Sequence, residues 1–113
     1  MKQATIQITT GKRQVEIQAY TDPTFPGLAI HRFVGVRSDG TTWTGQAWRV
    51  THMQSGKLAI TDQGYDLRRQ AVSYARTLCK CIDCTKENPF AGLPRGALEQ
   101  AIYAAKGAAA ASR

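Results

Sequence analysis

Gln3-Ala4-Thr5-Ile6-Gln7-Ile8-Thr9-Thr10-Gly11-Lys12-Arg13-Gln14-Val15-Glu16-Ile17-Gln18-Ala19-Tyr20 decides the fold class. Ala4, Ile6 and Ile8 alternate with Gln3, Thr5, Gln7 and Thr9, and Thr10-Gly11-Lys12 then turns the chain. Val15, Ile17 and Ala19 alternate in the same way with Gln14, Glu16, Gln18 and Tyr20. Side chains of a strand point to opposite faces in turn, so residues 3–20 predict a β-hairpin with one buried and one wet face. The wet face is mostly Thr and Gln, carries little charge to hold a nucleic-acid backbone, and reads as structural.

Asp22-Pro23-Thr24-Phe25-Pro26-Gly27 ends the pattern, because each proline removes a backbone donor and the glycine permits a turn. Beyond this loop, Leu28 to Val36 reads as a strand, Ser38-Asp39-Gly40 as its turn and Thr42 to Met53 as a long return. Gln54-Ser55-Gly56 turns again into Lys57 to Thr61. With the hairpin this makes an antiparallel meander of about five strands, residues 28–61 forming its second part. In the long return, Thr44, Gln46, Trp48, Val50 and His52 share one face, and Trp43, Ala47, Arg49 and Met53 the other. Both faces are partly apolar, which suits a central strand, and Gly45 marks a candidate bulge.

Helical spacing begins at Asp66, a suitable N-cap, and places Leu67, Ala71, Tyr74, Ala75, Leu78 and Ile82 in one arc. Residues 66–84 therefore predict one long helix with its apolar side on the sheet and Arg69, Arg76 and Lys80 facing water or a partner. Asn88-Pro89 follows it, and Pro94 suits the first turn of a second helix over 94–107 with Leu98, Ile102 and Ala105 as its stripe. The Ala-rich residues 108–113 have little to bury and are expected to fray. The whole is an α+β fold in a single domain spanning 1–113.

The totals agree with one domain: 113 residues, 42% apolar, with no uninterrupted apolar run long enough to span a bilayer. The N-terminus enters the alternating pattern at once and lacks the apolar block of a secretory signal, so the expectation is a cytoplasmic protein. Lys and Arg number 15 against 8 Asp and Glu, a formal charge of +7, which favours an anionic partner: nucleic acid or an acidic protein surface.

All three cysteines lie in Cys79-Lys80-Cys81-Ile82-Asp83-Cys84, unlike the spread pairs of a secreted disulfide framework, so reduced thiols are expected. Thiolates at short spacing are ligands that zinc selects. On a continuing helix, however, Cys79 and Cys81 point about 200° apart and only Cys81 and Cys84 share a side. Zinc would require the helix to end near Lys80 and His31 or His52 to complete the set. The expectation is no metal and no cofactor, with Cys81 in the core, Cys79 and Cys84 at the helix edge, and a Cys79–Cys84 disulfide possible only if the helix unwinds.

His31 and His52 are the only histidines, and neither stands beside a nucleophile or an orienting carboxylate. No Walker-type loop, His-Glu-Xaa-Xaa-His or Gly-Xaa-Ser-Xaa-Gly is present, and the acids are scattered, so no catalytic residues are assigned. What remains is a basic set with aromatics nearby: Arg32, Arg37, Arg49, Arg68, Arg69, Arg76 and Lys80, with Trp43. Guanidinium forks take phosphate bidentately, and an exposed indole stacks on a base or fills a partner's pocket. A solvated helix face and a core tryptophan are the plain alternatives.

Gly35-Val36-Arg37, the Trp48 strand and the Ala71/Ala75 helix give residues 28–80 an order of sheet then helix. This order resembles the three-stranded sheet plus helix of AP2-type and integrase arm-binding DNA domains. The regular Arg/Trp pattern those domains place on the outer sheet face is missing, so no DNA-reading residue carries over. Leu28-Ala29-Ile30-His31-Arg32, Trp48-Arg49-Val50-Thr51-His52 and the Arg69-to-Leu78 helix also resemble small accessory proteins of phages and prophages, in general style. That resemblance implies a place in the bacterial host cytosol and a partner in a nucleic-acid or anti-defence complex. The expected function is a non-enzymatic binding protein of phage or mobile-element type that engages nucleic acid or a nucleoprotein complex. The alternative is an anti-CRISPR-like inhibitor that docks on an acidic protein surface; a basic chain is a poor mimic of DNA.

Overall fold

A computed structural model describes residues 1–59 and 64–113. Among these, five strands form one antiparallel sheet in the order β1 (Lys2–Thr10), β2 (Arg13–Thr21), β3 (Leu28–Val36), β4 (Thr42–His52) and β5 (Lys57–Leu58). Two helices follow, α1 (Arg68–Cys81) and α2 (Ala97–Ala111). The expected α+β meander is present. Of the strand expected over Lys57–Thr61, Ile60 and Thr61 lie outside the described residues.

The hairpin forms in the register its alternation demands, with Ala4 opposite Ala19, Ile6 opposite Ile17 and Ile8 opposite Val15. The sheet does not stay flat. β2 joins β3 through the single pair Tyr20 and Ile30, after which the two strands diverge. The hairpin curls round instead, so that the Thr9 N–H donates to the Gly56 carbonyl at the β4–β5 turn over 2.8 Å. The curl encloses one apolar cluster of Ile6, Ile8, Ala19 and Ala29, joined by Val15, Ile17, Val34 and Met53. A second, larger core lies between sheet and helices and contains Phe25, Leu28, Ile30, Val50, Tyr74 and Leu78.

Between β3 and β4 the register shifts: Arg32 faces Trp48 but Val34 faces Thr44. Phe33 therefore stands against Gly45, Gln46 and Ala47, a bulge at the glycine the sequence singled out.

The helices differ from expectation at their ends. α1 starts two residues after Asp66, with Leu67 extended (φ −114°, ψ 139°) as its N-cap. The buried Gln70 secures that end by accepting a hydrogen bond from the Leu67 N–H at 3.2 Å. α1 stops at Cys81, three residues short of the expected end, because Ile82 turns extended while remaining buried. Burial periodicity thus outlasts the helix.

α2 begins at Ala97 after Gly96 in the left-handed region (φ 80°), with Pro94 accepting a turn bond from the Ala97 N–H at 3.0 Å. It runs on to Ala111, so residues 108–111 extend the helix that was expected to have given way to a frayed tail. The reason is packing: Ala101, Ala105 and Ala109 recur at four-residue spacing, are buried, and share a core with Ala71 and Ala75 of α1. Side chains this small let two helices approach closely. Ser112 then ties the end down, accepting from Arg69 Nε at its carbonyl (2.7 Å) and hydrogen bonding Ser73 through its hydroxyl. Where one long helix over 66–84 and a second over 94–107 were expected, there are helices of 14 and 15 residues packed on each other. None of the described helices is long and apolar enough to cross a membrane.

Candidate nucleic-acid interface

The basic residues singled out by sequence fall into three groups. The first gathers on the helix side of the sheet. Trp48 is the cross-strand partner of Arg32, which places the Arg32 guanidinium 4.7 Å from the centre of the indole. Arg32 is held there by its Nη1, which donates to the Gln46 Oε1 at 3.1 Å. Arg68 comes from the first residue of α1 to lie 5.0 Å from the Tyr20 ring and 6.0 Å from Trp48. Tyr20 and Trp48 are themselves 6.2 Å apart. Three strands and a helix therefore build one cluster of two exposed guanidiniums on two aromatic rings. Trp48 is fixed by backbone pairing with Tyr65 in both directions, at 2.7 and 2.9 Å.

The second group lies inside the curl. Trp43 is 42% exposed and packs beside Phe33, with ring centres 5.3 Å apart. The indole lies across its partner Gly35, where a Cβ would come within 2.3 Å of Nε1. The Arg49 guanidinium sits 5.1 Å from the Phe33 ring. These residues border a cleft of about 580 Å³ between the hairpin and β3–β4. His31 and Thr51, both buried, lie at its floor. His31 Nδ1 donates to the Arg32 carbonyl at 2.7 Å, so Nε2 is the acceptor for the Thr51 hydroxyl, also at 2.7 Å. Burial pushes the His31 pKa below the ordinary histidine value, which keeps the ring neutral.

The third group serves the framework. Arg69 is tied to Ser112, Arg76 Nε donates to the Thr24 hydroxyl at 2.9 Å, and Arg37 Nη1 donates to the Thr42 carbonyl at 3.3 Å. Lys80 is exposed in the last turn of α1. The basic face expected on α1 is thus partly turned to holding loops and the C-terminal end.

No carboxylate among the described residues stands at salt-bridge distance from Arg32, Arg37, Arg68, Arg69, Arg76 or Lys80. Three acids are occupied locally instead, each in an Asp-Xaa-Thr corner. Asp22 accepts from the Thr24 N–H and hydroxyl (2.9 and 2.7 Å), and Asp39 accepts from those of Thr41 (2.9 and 2.7 Å). Asp83 does the same with Thr85. These bonds hold all three carboxyls below the usual range.

The cysteines correct two expectations. Cys81 is exposed rather than in the core, and Cys84 is buried. Because α1 ends at Cys81, the chain folds back and brings Cys84 against Cys79 with no unwinding of the helix. The Cys79 thiol donates to the Pro26 carbonyl at 3.6 Å, and the two neighbouring thiols perturb each other, Cys79 being raised and Cys84 lowered from the ordinary thiol pKa. The three thiols do not converge, and among the described residues no group of three His, Cys, Asp or Glu side chains could hold a metal ion. Neither histidine is turned to them: His52 Nδ1 hydrogen bonds the Ser55 hydroxyl (2.8 Å) and its Nε2 the Lys86 carbonyl (2.8 Å).

Sequence reasoning missed Tyr20 and Trp48. By alternation Tyr20 falls on the wet face of the hairpin and Trp48 on one of two part-apolar faces of the long return; the cross-strand pairing of Trp48 with Arg32 is the signal that joins aromatic to arginine. No protein-family model, curated protein or solved structure matches the chain.

Proposed function

We propose that the protein is a non-enzymatic binding protein, of the kind phages and mobile elements carry, that engages nucleic acid, free or within a nucleoprotein complex. The observation that carries this reading is the Arg32–Trp48–Tyr20–Arg68 cluster. Both guanidiniums are exposed and stacked on rings, and no carboxylate among the described residues neutralises them. Stacking orients a guanidinium without using up its donors, and phosphate accepts from such a fork in bidentate fashion. The net charge of +7 adds long-range attraction to the same class of partner.

A gel shift over a salt series tests the reading. Binding should weaken steeply as salt rises, and Arg32→Glu with Arg68→Glu should abolish it. Absence of binding to DNA and RNA at low salt would remove nucleic acid as the partner. A pulldown from bacterial lysate, repeated with nuclease, then separates capture through nucleic acid from direct docking on an acidic protein surface.

A further inference from the structure

We propose that the cleft inside the curled sheet seats an unpaired nucleobase against Trp43, so that the protein prefers single-stranded nucleic acid to duplex; this rests on the nucleic-acid reading above. The cleft has the parts a base needs. Its aromatic wall is Trp43 with Phe33, and the indole is held over the bare backbone of Gly35 while 42% of its surface stays exposed. Its volume of about 580 Å³ leaves room for a planar ring. Thr9 and Thr10 line the β1 side of the cleft.

The cations for the adjoining phosphates stand at one end of the cleft. The β1–β2 turn carries Lys12 and Arg13, and the Arg13 guanidinium reaches across so far that a Cβ on Gly40 would lie 2.7 Å from its Nη1. Arg37 enters from the β3–β4 side, anchored to Thr42. The acid on that turn, Asp39, is already bonded to Thr41. Lys12 and Arg37 directly follow Gly11 and Val36, which line the cleft, and Arg13 reaches the β3–β4 turn beside them, while the Arg32–Arg68 cluster offers phosphate contacts elsewhere on the same protein. A duplex holds its bases stacked and paired and would have to flip one out to enter, whereas a single strand presents them freely.

Fluorescence anisotropy with a labelled oligothymidine, an oligouridine and a hairpin duplex of matched length, at about 50 mM salt, decides the matter. Single strands should bind at least about tenfold more tightly than duplex. Trp43→Ala should weaken single-strand binding by about tenfold and leave duplex binding unchanged, and Trp43→Phe should restore most of the loss. If Trp43→Ala fails to fold, Trp48→Phe leaves Trp43 as the sole tryptophan, whose emission should be quenched by single strands and not by duplex. Equal affinity for the two forms, or single-strand binding indifferent to Trp43, overturns the proposal while leaving the nucleic-acid reading intact. Absence of binding to any of the three probes overturns both.

Discussion

Arg32 and Trp48 face each other across β3 and β4, and the guanidinium lies 4.7 Å from the ring centre on the side from which Arg68 also approaches. An exposed cation–π contact of this kind stabilises by only about 0.5–1 kcal/mol, so its removal should be visible in binding before it is visible in folding. Arg32→Ala is expected to lower stability in urea by no more than about 1 kcal/mol. In the salt series the same variant should reduce the slope of log affinity against log salt by about 0.7–0.9, one phosphate contact.

The α2 stripe of Ala101, Ala105 and Ala109 packs with Ala71 and Ala75 in one core, all five buried. Ala105→Leu should cost roughly 1–3 kcal/mol by overpacking, measured as a shift of the urea midpoint. Removal of residues 108–113 should destabilise the fold as well, because it deletes the buried Ala109 and the Ser112 contacts to Arg69 and Ser73. An unchanged midpoint in the truncated chain would mean that this end does not dock.

Burial holds His31 neutral, with a pKa below the unfolded value near 6.5. The folded state then binds fewer protons than the unfolded state just under that pH. The contribution of His31 to stability is therefore complete above pH 6.5 and is lost as pH falls through the lower folded value. Imidazole NMR signals of His31 should titrate below those of a model histidine. Thr51→Val, which removes the hydroxyl donor to Nε2, should cost roughly 1–3 kcal/mol.

Thiol labelling follows burial. Iodoacetamide should modify Cys81 first, with Cys84 protected until the protein unfolds, as read by mass spectrometry of digested time points. Rapid labelling of Cys84 in the folded protein would contradict its placement under the Pro26–Gly27 loop. That loop fits tightly: Gly27 has φ 89°, and a Cβ there would come within 2.1 Å of the Cys84 carbonyl oxygen. Gly27→Ala should accordingly cost roughly 2–5 kcal/mol.

Much of the fold was legible because its strands carry unambiguous period-two signals. Ile6, Ile8, Val15 and Ile17 face one way in both sequence and structure, and Gly45 announced the bulge. The ends of α1 were not, because Ile82 is buried in an extended segment and so mimics one more helical position. Ala109 misled in the opposite sense: a methyl group looks too small to anchor a helix until a second alanine-lined helix is set against it. For the candidate site, Arg32, Arg68 and Trp43 were visible as residue types. What brought Tyr20 and Trp48 to the arginines was the pairing of strands far apart in sequence, which local periodicity does not encode.

The junction of β2 with β3 has a mechanical meaning. β1 and β2 are laddered along nine residue pairs, but β2 and β3 along one, Tyr20 with Ile30. Local opening should therefore release the hairpin as an intact blade, leaving β3, β4 and the helices assembled, and baring the apolar lining of the curl in a single step.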